Sequence, residues 1–143
     1  MKKGFTLFEL LLSISLIAIL FGISVPIYQS FQVRNDLDIT RSNIIDSMRR
    51  SQILSLASKG GTTWGVRIEN SSIIIFQGAD YLSRDPLLDE IYDIPLSIIP
   101  SGINEIIFSR LDGSPSLTGV ITLTSSINEV KTITINEKGI FTF

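Results

Sequence analysis

The chain opens Met1-Lys2-Lys3-Gly4-Phe5-Thr6-Leu7-Phe8-Glu9-Leu10, and from Leu10 to Val25 no further charge interrupts an apolar run. Phe5–Val25 has about the length a helix needs to span a bilayer. Lys2 and Lys3 are positioned to hold the amino end on the cytoplasmic side. Glu9 is the anomaly. A carboxylate just inside such a segment is costly in lipid unless a cation meets it. A bare anchor has no use for one, so Glu9 points to a function beyond anchoring.

The bulk numbers narrow the field. With 143 residues the chain holds one modest domain besides the anchor, and the net charge of -2 offers no broad surface for polyanions. There is no cysteine and no histidine. Disulfides, thiolate metal sites, cysteine nucleophiles and Ser–His–Asp chemistry are thereby excluded. The acidic residues form no constellation on facing elements suited to acid–base work, so the chain reads as a non-enzyme that needs no cofactor.

Three readings of the first segment differ in what they explain. A removable secretory signal needs small residues before its cut; Gly22 and Ser24 make a poor pair, and the apolar stretch is long for that role. An uncleaved single-pass anchor tethering an extracytoplasmic binding module leaves Glu9 without a purpose. The third reading accounts for every residue. Lys3-Gly4-Phe5-Thr6-Leu7-Phe8-Glu9-Leu10, the uninterrupted run and Pro26 resemble the class III signal of type IV pilins and type II secretion pseudopilins.

That resemblance implies a membrane prepilin peptidase cutting between Gly4 and Phe5, with N-methylation of Phe5 as the new first residue. Glu9 then becomes the fifth residue of the mature chain. Its carboxylate neutralises the liberated amine, as a cation buried at a membrane surface or in a filament core requires, and the pair sets the register of assembly. Pro26 falls where many pilins carry a helix-kinking proline, and its ring and missing donor are expected to loosen the helix there.

Beyond Pro26 the helical period continues to about Ser58. Leu37, Ile44, Ile45, Met48 and Leu56 fall on one broad face, while Arg34, Asp36, Asp38, Asp46 and Arg50 lie mostly off it. Arg41 interrupts the stripe, with its stem packed and its head at the edge. Lys59-Gly60-Gly61 supplies a cation for the last turn and a stop. After Gly61 the period changes to two. Strands are expected at 63–69, 72–77, 91–96, 105–110, 119–124, 130–136 and 140–143, with turns at Asn70-Ser71, 112–115, 125–129 and 137–139 and a long polar loop at 78–90. Pro95 suits an edge or an end. Trp64, Phe76, Phe108 and Phe141 read as core aromatics.

The expected fold is therefore α+β and pilin-like: a leader at 1–4, a transmembrane or filament-core helix at 5–25, an amphipathic helix at 26–59, and an antiparallel β-sheet or sandwich at 60–143 on which that helix packs. In its soluble half the chain most resembles H-type minor pseudopilins and FimT-type minor pilins. The carrying residues are Arg49-Arg50-Ser51-Gln52 with Ala57, Trp64-Gly65-Val66, Ile73–Phe76, and Lys131–Asn136 with Gly139. Some FimT-type proteins bind DNA through basic residues near the carboxyl end. Here Glu137-Lys138 leaves too small a basic footprint, so no nucleic-acid partner is expected. Asp85, Asp89, Glu90 and Asp93 match no calcium-loop spacing and read as a solvated loop, so no metal site is expected.

The resemblance implies a minor pilin or pseudopilin built into a type IV pilus or a type II secretion pseudopilus. It would reside in the bacterial inner membrane as a single-pass protein with its carboxyl-terminal domain outside. Its partners would be the prepilin peptidase, other pilins or pseudopilins of the same fibre, the inner-membrane assembly platform and the cytoplasmic membrane.

Overall fold

The computed structural model describes residues 4–142, and for residues 23–26 the backbone alone. The leader charges Lys2 and Lys3 lie outside the described residues. The chain divides into two units, Met1–Gln32 and Val33–Phe143. A single helix, α1, runs Leu7–Leu56. It passes Pro26 without a break in helical backbone, where the sequence reading expects loosening. A proline removes one donor, and the turns on either side keep theirs.

In the first unit α1 is apolar all round and exposed, and it is long and apolar enough to cross a membrane. Two of its serines fit that setting: Ser13 Oγ donates to the Glu9 carbonyl at 2.8 Å, and Ser15 Oγ donates to the Leu11 carbonyl. Each hydroxyl is satisfied within the helix and presents no bare donor to lipid.

In the second unit the helix is amphipathic. Leu37, Ile44, Ile45 and Met48 are buried, as their spacing predicts. Leu56 departs from that stripe. It is 43% exposed, because the buried face at the helix end is taken by Ser51 and Ser55. Leu56 instead lies beside Gly113, whose backbone has φ 66°. The helix stops at Leu56, Ser58 turns left-handed at φ 49°, and Lys59–Gly61 forms one 3-10 turn.

Among the described residues eight strands follow. β1 (Trp64–Ile68), β2 (Ser72–Gln77), β3 (Glu90–Asp93) and β5 (Glu105–Phe108) make an antiparallel sheet in the order β3-β2-β1-β5. β4 (Ile98–Gly102), β6 (Gly119–Ser125), β7 (Val130–Ile135) and β8 (Phe141–Thr142) make a second in the order β4-β6-β7-β8. Two departures from the expected strands exceed a shift of an end residue or two. The third strand ends at Asp93 rather than 96, because Ile94 turns inward and Pro95 cannot extend the ladder. β4 has no counterpart in the sequence reading, since Pro100 and Gly102 disguise it.

One core joins the helix stripe to the inward faces of both sheets: Val66, Ile73, Ile75, Ile106 and Phe108 from the first, Ile121, Leu123 and Ile133 from the second. Trp64, Phe76, Phe108 and Phe141 are buried as expected. Ser55, fully buried near the helix end, ties the pieces together: its Oγ accepts from the Trp64 N–H at 2.8 Å and donates to the Phe108 carbonyl at 2.9 Å.

The 78–90 segment is more than a solvated loop. It folds over the outer face of the first sheet, where Ile74 and Phe76 are also buried. Tyr81 meets Phe76 edge-on at 5.5 Å and lies between two guanidinium groups, Arg84 at 3.6 Å and Arg67 at 5.2 Å from its ring. Arg84 pairs with Asp89 at 2.8 Å, and Arg67 with Glu105 at 2.8 Å. Glu90 is held by Arg50 of the helix through bonds of 2.6 and 2.7 Å. Thus two of the four acidic residues read from the sequence as solvated are tied to arginines, and among the described residues no acidic trio suited to a metal ion forms.

Candidate functional site

The amino-terminal segment carries the chain's distinctive chemistry. Gly4, Phe5 and Thr6 precede the helix, and Phe5 is 82% exposed. Nothing lies within 4 Å of the position a Gly4 side chain would take.

Thr6 stands at the helix start and Glu9 three residues later. The Glu9 N–H donates to Thr6 Oγ1 at 3.3 Å, and the Thr6 N–H donates to Glu9 Oε2 at 3.5 Å. This is a capping box: each side chain satisfies the other's backbone donor. The helix start also favours a negative charge, because its unpaired N–H groups carry partial positive charge. Glu9 is thus engaged in capping the helix. Its carboxylate sits at the first turn, facing back toward the residues that precede it.

The sequence reading singles out Glu9 and misses Thr6. The signal was present: a threonine followed three residues on by glutamate, immediately ahead of an apolar run. The structure brings Gly4, Phe5 and Glu9 to one end of the helix. Pro26 lies well along the same helix, more than four turns beyond Glu9, roughly 25 Å from it by the 1.5 Å rise per residue. The two residues therefore do not form one site.

Residues 1–25 match the prokaryotic N-terminal methylation motif. The chain therefore carries the amino-terminal signal of type IV pilin-type proteins, which implies processing by a prepilin peptidase and assembly with other pilin-type chains. It also points to a structural subunit rather than an enzyme, and with the single apolar helix it fits anchoring in an inner membrane. No solved structure matches the chain.

Proposed function

We propose that this protein is a minor pilin or pseudopilin of the H-type or FimT-type branch, a subunit of a short fibre that serves a type II secretion system or a type IV pilus. The precursor waits in the cytoplasmic membrane, its leader at 1–4 inside, its span at 5–25 in the bilayer, and the amphipathic helix 26–59 and β domain 60–143 outside. The peptidase cuts between Gly4 and Phe5, and the Phe5 amine is methylated. That amine and the Glu9 carboxylate then guide docking against neighbouring subunits on the assembly platform, and Pro26 eases the helix into the packed fibre.

The methylation-motif match over residues 1–25 is the observation that carries this reading. Its chemistry is consistent with the capping geometry. Before the cut, Glu9 lacks a cationic side chain within its own first turn and is occupied by the Thr6 N–H. After the cut, a new ammonium appears one residue before Thr6. An ion pair in a greasy setting is strongly favoured over either charge alone. The test is Glu9→Ala expressed alongside the other fibre components. Membrane insertion should be retained and incorporation into fibres lost; normal incorporation contradicts the assembly role.

A further inference from the structure

The two sheets have four edges, and three of them are closed or blunted. The outer edge of β5 is covered by the segment after it: the Ser116 N–H donates to the Ile107 carbonyl at 2.7 Å, and Phe108 bridges to Pro115. In β4 the outward positions are Ile98, Pro100 and Gly102, since the Ser126 N–H bonds the Ser97 carbonyl across the ladder. Ile98 has already given its N–H to the Pro95 carbonyl, and Pro100 has none to give. β8 is two residues long.

β3 is different. The Ile94 N–H bonds the Ser71 carbonyl at 2.8 Å, so by alternation Glu90 and Tyr92 also turn their backbone groups toward β2. Ile91 and Asp93 must point theirs outward. Among the described residues, none of those outward N–H or C=O groups has a partner. Ile91 adds a side chain 62% exposed. Alongside this edge runs a groove of about 250 Å³ between the strand and the helix, lined by Asn43, Asp46, Ser47, Arg50 and Tyr92. The edge is also held firm, because Arg50 grips Glu90 and the Tyr81–Arg84–Asp89 cluster fixes the segment leading into the strand.

We propose that the open edge of β3 is a docking site for an extended segment of a different polypeptide, one that alternates basic with apolar residues. Main-chain bonds to Ile91 and Asp93 supply the pairing, as in strand addition to a sheet edge. Alternate side chains enter the groove near Asp46 or lie along Ile91 and Asp93. Charge decides the kind of partner. Arg50 is neutralised by Glu90, so Asp46 and Asp93 leave the site acidic. β3 itself reads Glu-Ile-Tyr-Asp and carries no base, so a second copy of the strand brings no cation to the acidic site. The inference stands apart from the amino-terminal signal and holds whether or not the leader is cut.

The test uses the full chain in a neutral detergent and a short blocked peptide alternating lysine and valine, followed by fluorescence anisotropy and amide exchange. Saturable binding with protection of the Ile91 and Asp93 amides is expected. Ile91→Pro, which removes an outward N–H together with the exposed side chain, should weaken binding at least about tenfold, and Asp93→Lys should do the same by charge. Should Ile91→Pro disturb the strand, methylating the peptide's edge-facing amides removes the same bonds from the other side. Unchanged affinity in Asp93→Lys or with the methylated peptide overturns the proposal. So does equal binding of a glutamate–valine peptide, failure of the lysine–valine peptide to bind, or protection of those amides that grows with protein concentration alone.

Discussion

Thr6 and Glu9 divide one task before the cut and, on the proposed reading, separate it afterwards. Replacing Thr6 with alanine removes the side-chain acceptor at the helix start. The expected loss is about 1 kcal/mol of local helix stability, seen as faster amide exchange over residues 7–10 with the rest of the chain unchanged. Gly65 is a second position where one atom decides. A side chain there would lie 2.5 Å from Phe76 Cζ and 3.0 Å from the Ile106 carbonyl oxygen. Phe76 is fully buried and edge-on to Tyr81, so it cannot swing away. Gly65→Ala should destabilise the domain by roughly 2 kcal/mol in denaturant melts. Ser55→Ala should cost a similar amount, about 1–3 kcal/mol, because it strands the buried Trp64 N–H and Phe108 carbonyl together. Of these residues Glu9 stands out in the sequence, and Thr6 is missed although its spacing to Glu9 carries the signal. Gly65 and Ser55 were not legible, since a glycine or serine shows its worth only when a distant element is packed against it.

The amphipathic part of α1 is legible for a different reason. Period and charge place Leu37, Ile44, Ile45 and Met48 inward without knowledge of what they meet. The polar flanks needed the fold. Arg34 reaches Glu129 at 2.8 Å, Asp38 binds Lys131, and Arg50 clasps Glu90, so the helix is strapped to the edge of one sheet and to the β6–β7 hairpin of the other. The hydrogen-bonded pair with Lys131 holds the Asp38 carboxyl below its ordinary value of 3.8, and Arg50 holds Glu90 below 4.5. A depressed carboxyl stabilises the fold above its ordinary pKa and loses that stabilisation as pH falls through the folded value. The thermal midpoint of the second unit should therefore drop as pH is lowered from 4.5, and Arg50→Gln should flatten the Glu90 part of that slope. Both pairs are partly open to water, so salt should shrink the effect. The loop over the outer sheet face was the harder element. Its polar composition suggests solvation, yet Tyr81 between Arg84 and Arg67 converts it into a lid on Ile74 and Phe76. Arg84→Ala should leave Asp89 without its cation and raise amide exchange across 78–90 while the two sheets stay protected.

For the molecule as a whole, the change from an all-round apolar helix to an amphipathic one, and then to period-two strands, announces an α+β chain with an anchor. Sequential hairpins follow from turn chemistry at Asn70-Ser71 and 125–129. What period cannot give is which strands share a sheet. β5 joins β1 from far along the chain, and β4 pairs with β6 instead of its neighbours in sequence. Those pairings depend on long-range burial, to which Pro100 and Gly102 contribute no pattern. The amino-terminal signal is the opposite case, because its chemistry is contained within a few consecutive residues. The proposed function requires that this signal be used, and the most direct measurement is the mass of the amino-terminal peptide from protein made in its own host. The expected chain begins at Phe5 with a methylated amine. A chain that still begins at Met1 with Lys2 and Lys3 in place, or one cut beyond Pro26, contradicts the proposed function.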